Sequence, residues 1–118
     1  MGLDTFAMTR RKDGEWEPAP DEPFEGLRLC GGMYSGGADS SSIRGKVYAE
    51  LVQGATGESL YQQRIEPERV AEMARRLRVS IDEAKREGTL EIDPEEAEDL
   101  ARWFEVCAEH GFAVKGWW

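Results

Sequence analysis

The chain has 118 residues, enough for a single domain over 1–118 and too few for two separate cores. It carries 24 acidic against 15 basic residues, a formal net charge of −9, with 40% hydrophobic residues and four tryptophans. That balance disfavours direct nucleic-acid binding and a polybasic membrane-surface role, both of which need clustered Lys and Arg. No stretch approaches the ~20 apolar residues that span a bilayer, and no apolar signal-peptide core precedes Arg10-Arg11-Lys12, so a cytoplasmic protein without membrane contact is expected.

Leu3 to Trp16 reads as a short hairpin or extended edge. Thr5, Phe6, Met8 and Thr9 are β-prone or apolar, Lys12-Asp13-Gly14 supplies turn chemistry, and Trp16 begins the return. Pro18, Pro20 and Pro23 then disfavour helix and central strand, so Glu17 to Pro23 is expected to be a surface connector. A Gly- and Ser-rich stretch follows from Cys30 to Ser42, and its Ser run offers an N-cap to a helix. Ile43, Val47, Tyr48, Leu51 and Val52 share one face of that helix, with Gly54 and Gly57 as terminators.

Leu60, Tyr61 and Ile65 form a brief apolar connector. Pro67 then suits the first turn of a helix whose stripe is Val70, Met73, Ala74, Leu77, Ile81 and Ala84, ended by Gly88. Ser80 with Glu83 resembles a capping box, so residues 67–87 read either as one helix or as two broken near Val79. Asp93 and Pro94 open the last helix, which runs to His110 and stops at Gly111 with Ala97, Leu100, Trp103, Phe104 and Cys107 on its apolar stripe. Phe112 to Trp118 is apolar enough for a terminal strand. The fold expected is α+β: three to four helices packed on a small antiparallel sheet or hairpin from the amino terminus, joined by the carboxyl-terminal tail.

Three sets of residues are candidate sites. The first is the Gly/Ser loop over 30–46. Backbone amides at a helix start hold phosphate or carboxylate, and Arg44 and Lys46 would reinforce this, with Cys30, Tyr34, Ser41, Ser42 and His110 as neighbours. The stretch departs from a phosphate-binding P-loop, since Ser40 stands where its first Gly belongs and Val47 where a Ser or Thr belongs. The second is the acidic last helix, where Glu95, Glu98 and Asp99 would face a partner's basic groove as a phosphate mimic. The third is Trp117-Trp118, which either docks on the amino-terminal hairpin or anchors a partner interface.

Chemistry is sparse by comparison. A Cys30–His110 nucleophile pair has no recognisable signature around it. Cys107 and His110 have the spacing of half a zinc site, but further ligands are short, so no metal and no cofactor is expected.

Several strings are distinctive: Met1-Gly2-Leu3-Asp4, Leu29-Cys30-Gly31-Gly32-Met33-Tyr34-Ser35-Gly36-Gly37, Arg44-Gly45-Lys46-Val47-Tyr48, Ser59-Leu60-Tyr61-Gln62, and Cys107 to Gly111 with Gly116-Trp117-Trp118. In these the chain resembles a group of small uncharacterised bacterial and phage proteins with no assigned activity, so the resemblance implies no chemistry. Charge is also uneven: the last helix is strongly acidic and the one before it is weakly basic, which suggests an electrostatically two-sided molecule. The expectation is a non-enzymatic domain acting through protein–protein contact or self-association. The alternatives are an anionic-ligand or enzyme site on loop 30–46, and a phage-type inhibitor using the acidic helix.

Overall fold

The computed structural model describes residues 3–29 and 41–118. These form β1 (Asp4–Arg10), β2 (Trp16–Pro18), one 3-10 turn (Glu22–Phe24), β3 (Ser42–Ile43), α1 (Gly45–Thr56), α2 (Pro67–Glu87), α3 (Pro94–His110) and β4 (Ala113–Trp117). Three helices with a four-stranded antiparallel sheet make the α+β architecture that the sequence suggests.

Strand β1 is central. The Ala7 amide donates to the Ser41 carbonyl at 2.8 Å, and the Ala7 carbonyl accepts from the Ala19 amide at 2.9 Å. A strand residue in such a ladder points both groups to the same side, so β3 and β2 lie end to end along one edge of β1. The other edge pairs with β4, from Asp4 opposite Trp117 to Met8 opposite Ala113. Beyond β4, Ile65 and Val114 exchange two backbone hydrogen bonds at 2.7 and 3.1 Å, and Gly116 donates to the Gln62 carbonyl. That segment shields β4 from edge-to-edge pairing. The tail thus pairs with the amino-terminal strand, as its apolar character suggested.

Alternation along β1 decides what each sheet face carries. Thr5 and Ala7, with Ile43 and Val114 beside them, face the helices and are buried. Phe6, Met8 and Arg10 face the other way, as do Trp16, Lys115 and Trp117 through their pairing. The helical side is closed by the stripes of α2 (Val70, Met73, Leu77, Ile81) and α3 (Leu100, Trp103, Phe104, Cys107), all buried.

Both long helices take the bounds their punctuation dictates. Pro67 and Pro94 stand in the first turns, and the Asp93 carboxylate accepts the Glu95 amide at 2.8 Å. Gly88 and Gly111 close them at φ of 71° and 67°, a left-handed conformation that glycine adopts without steric penalty. α2 is one continuous helix through Val79. Its apolar stripe packs on α3 on both sides of Ser80, and burial of that stripe outweighs a local capping signal.

Two expectations are corrected. The Ser run does not cap α1: Ser42 and Ile43 are drawn into the sheet by the edge of β1, and Arg44 occupies the cap position without a side-chain cap bond. Consequently Ile43 leaves the helical stripe, Val47 is 47% exposed, and the buried face is Gly45, Tyr48, Val52 and Thr56. The proline-rich connector is also more than surface. Ala19 and Phe24 are buried, and the Phe24 ring packs at 5.5 Å from Trp103 and 6.0 Å from Phe112. Pro18 fits because its register directs the missing N–H away from β1. Among the described residues no helix is long and apolar enough to cross a membrane.

The sheet meets neighbouring backbone tightly at Gly116, where a Cβ would collide with the carbonyls of Leu60 and Gln62. Gly116→Ala should lower the unfolding free energy by about 1–3 kcal/mol through overpacking. Gly54→Ala, in an exposed helix interior with open space around it, should raise it by about 0.5–1 kcal/mol. Urea unfolding of the two variants beside the parent checks both signs.

Candidate functional site

The outer sheet face collects three of the four tryptophans. Trp16 lies directly opposite Arg10 across the hairpin, and this register brings the Arg10 guanidinium to 5.1 Å from the indole centroid. Arg64, on the segment flanking β4, places its guanidinium 5.5 Å from the same ring. Both distances lie within the range at which a cation is attracted to an aromatic face. Arg64 also donates through Nε to Glu66 at 2.8 Å.

At the other end of the face, Trp117 and Trp118 are 50% and 52% exposed. Trp117 lies 6.5 Å from Phe6, and Trp118 takes an edge-on contact from Tyr61 at 5.6 Å. Between these groups runs an open cleft of about 790 Å³, lined by Met8, Trp16, Arg64, Lys115, Trp117 and Trp118 among others. None of its lining residues is an Asp or a Glu, although acids outnumber bases in the chain. The fourth tryptophan, Trp103, is fully buried in the helical core.

Of the two readings of Trp117-Trp118, docking on the amino-terminal hairpin holds in part. The strand that carries them docks on β1, while the indoles remain half exposed on its outer side. Trp16, Arg10, Arg64 and Lys115 were not singled out as site residues by sequence. The available signal was the placement of Trp16 opposite Arg10 across a tight turn; the approach of Arg64 and Lys115 depends on long-range strand pairing.

The loop residues fare differently. Cys30 and Tyr34 lie outside the described residues. Ser41 and Ser42 are buried in the sheet rather than gathered at the start of α1, and the Ser41 amide donates to the Asp21 carboxylate at 2.9 Å. Arg44 and Lys46 are exposed, but the Lys46 and Val47 amides at the helix start already donate to the carbonyls of Leu3 and Arg44. His110 stands at the end of α3 with its ring stacked on Phe112 at 5.2 Å. Among the described residues no hydrogen bond or ion pair joins His110 to Arg44 or Lys46.

Cys107 points into the core while His110 is exposed, so the two do not share a site. Among the described residues no group of three potential metal ligands converges. Burial pushes the Cys107 thiol well above its ordinary range.

The acidic helix is largely engaged within the molecule. Arg78 of α2 binds Glu105 through two nitrogens at 2.9 and 3.0 Å and reaches Glu98 at 2.5 Å, and Lys85 adds a contact to Glu98 at 2.6 Å. Arg102 pairs with Glu109, and Asp99 accepts the Arg28 amide at 3.0 Å. Glu95 is exposed. The basic and acidic helices therefore lie side by side with their charges paired across the seam, and the two-sided picture drawn from sequence does not hold for them.

The direction of several titrations follows. Hydrogen bonds from Arg75 and then Arg76 lower Glu72 from 4.5 to about 2. Lys85 and then Arg78 lower Glu98, and Arg102 lowers Glu109. Comparison of the chain with known protein families, curated proteins and solved structures gives no match.

These carboxylates bind protons less readily folded than unfolded. Their contribution to stability is complete above the ordinary carboxylate value of 4.5 and is lost as pH falls through each lowered value, about 2 for Glu72. Urea midpoints should decline across that window, and Glu98→Gln should flatten the decline. In a Cys30→Ser background, Cys107 should resist a thiol reagent in the native protein and react fully once urea unfolds it; fast labelling of the folded protein would contradict its burial.

Proposed function

We propose that this protein is a non-enzymatic binding domain that acts by protein–protein contact through the outer face of its sheet. The observation that carries the reading is the gathering of Trp16, Trp117 and Trp118 on one face that none of the described helices covers, around a cleft flanked by arginine and lysine. Tryptophan and arginine dominate the energetics of protein interfaces because each combines large contact area with directional polar groups. Side chains held by paired strands lose little further freedom on binding, which favours affinity. Half-exposed indoles grouped on one face also exceed the scattered apolar exposure that ordinary surfaces carry.

Among the described residues, nothing comparable supports the loop or the acidic helix as the working surface. Of the described loop residues Ser42 and Ile43 are committed to the sheet and the Lys46 and Val47 amides are already bonded, and much of the α3 acidic face is neutralised by α2 and Arg102.

Affinity capture from a lysate of the source organism, with the parent and with Trp117→Ala/Trp118→Ala, tests this reading. The double variant should stay folded by circular dichroism and lose the partners that the parent retains, with about a thirtyfold or greater fall in affinity for each loss of roughly 2 kcal/mol. Recovery of the same proteins by parent and variant would remove the basis for the proposal.

A further inference from the structure

We propose that the occupant of the tryptophan cleft is an acidic, extended protein segment, with carboxylates set on Arg10, Arg64 and Lys115 and an apolar side chain between Trp16 and Trp117-Trp118. This rests on the binding reading given above and names its partner by chemistry.

Charge placement carries the inference. The cleft lining holds Arg64, paired with Glu66 outside the lining, and Lys115, with no Asp or Glu side chain, while Arg10 sits at its rim against Trp16. Asp4, the acid at the far end of the outer face opposite Trp117, is buried. A cleft lined by aromatic rings and cationic side chains with no Asp or Glu stands apart in a chain of net charge −9, and charge complementarity of this kind selects partners of opposite sign and fixes their register. The two guanidinium groups are held on the Trp16 ring with donor nitrogens left over, since the Arg64 bond to Glu66 uses Nε. Guanidinium pre-positioned in this way suits the planar, bidentate geometry of a carboxylate.

Dimensions agree with a short peptide. Trp16 lies opposite Arg10 and Trp117 opposite Asp4, six residues apart along β1, so with two inter-strand spacings between β2 and β4 the tryptophans are about 22 Å apart along the face, which about six or seven residues of extended chain cover.

Two other occupants are disfavoured by the same charges. A second copy docking face to face through a two-fold axis would press Arg10, Arg64 and Lys115 of one copy toward those of the other. A single-stranded nucleic acid stacks well on such rings, but its phosphates continue past the cleft, and three cations match about three of them while the remainder meet a surface of opposite preference.

Fluorescence anisotropy with labelled peptides provides the test. The probes are acetyl-Asp-Glu-Phe-Asp-Leu-Glu-Asp-amide, its counterpart with every acid replaced by lysine, and an oligothymidylate of similar length. The acidic peptide should saturate, weaken about tenfold or more with Arg64→Gln/Lys115→Gln, and weaken as salt is raised. The lysine peptide should not saturate. The inference is overturned if the acidic peptide fails to saturate, if the charge variant leaves its affinity unchanged, or if the lysine peptide or the oligothymidylate binds more tightly. A dimer in sedimentation that Trp117→Ala dissolves would overturn it also, in favour of a second copy. If the acidic probe fails while the tryptophan variant still loses its lysate partners, only this inference falls; if that variant keeps every partner, the binding reading falls with it.

Discussion

The ladder between β1 and β4 is the constraint on which the molecule depends. It joins residues over a hundred positions apart in sequence, and β1 alone bonds to every other strand. Its alternation sends Thr5 and Ala7 toward the helices and Phe6, Met8 and Arg10 toward the opposite face, so one strand divides core from surface. A slip of one residue would exchange those faces and bury Arg10. Gly116 pins the register from the far side, since its lack of a side chain lets the Leu60 and Gln62 carbonyls approach β4.

Charge is arranged by the same packing. The helical layer settles its own electrostatics, because Arg78 and Lys85 on α2 meet Glu98 and Glu105 on α3 along the seam where both helices bury their apolar stripes. Such pairs near the surface add little individually. Their larger effect is to neutralise charge along the seam between the two helices. Among the described residues, Arg10 and Lys115 take no part in such pairs and lie beside the tryptophans.

Much of this order was legible in the amino-acid sequence, because its signals are local. Pro67, Asp93, Pro94, Gly88 and Gly111 mark helix ends by backbone chemistry that acts within a few residues, and the 3.6-residue stripes of α2 and α3 state which side is buried. The hairpin turn and the apolar tail were readable for the same reason. Ser42 and Ile43 were misread because their strand character is supplied by the edge of β1 rather than by two residues of pattern. Phe24 was missed because prolines dominate its neighbourhood, while its burial is dictated by Trp103 and Phe112, which lie far along the chain. The cleft was only half visible: the closing tryptophans stand out in any reading, whereas Trp16 and Arg64 become its neighbours only through the sheet.

The central position of β1 has a consequence for assembly. Of the partners of β1, β2 is near in sequence, but β4 arrives only after three helices have been laid down, so the principal ladder is a contact of very high sequence separation. Loop closure of that length sets the pace of folding more than its final stability. Until β4 docks, one edge of β1 stands open and could pair with the β1 of another molecule. Asp4 at one end of the strand and Arg10 with Arg11 and Lys12 at the other bracket the apolar residues with opposite charges. Such flanking charges interrupt the uncharged run that a stacked aggregate requires, so the residue that frames the cleft in the finished protein also guards the strand while it waits.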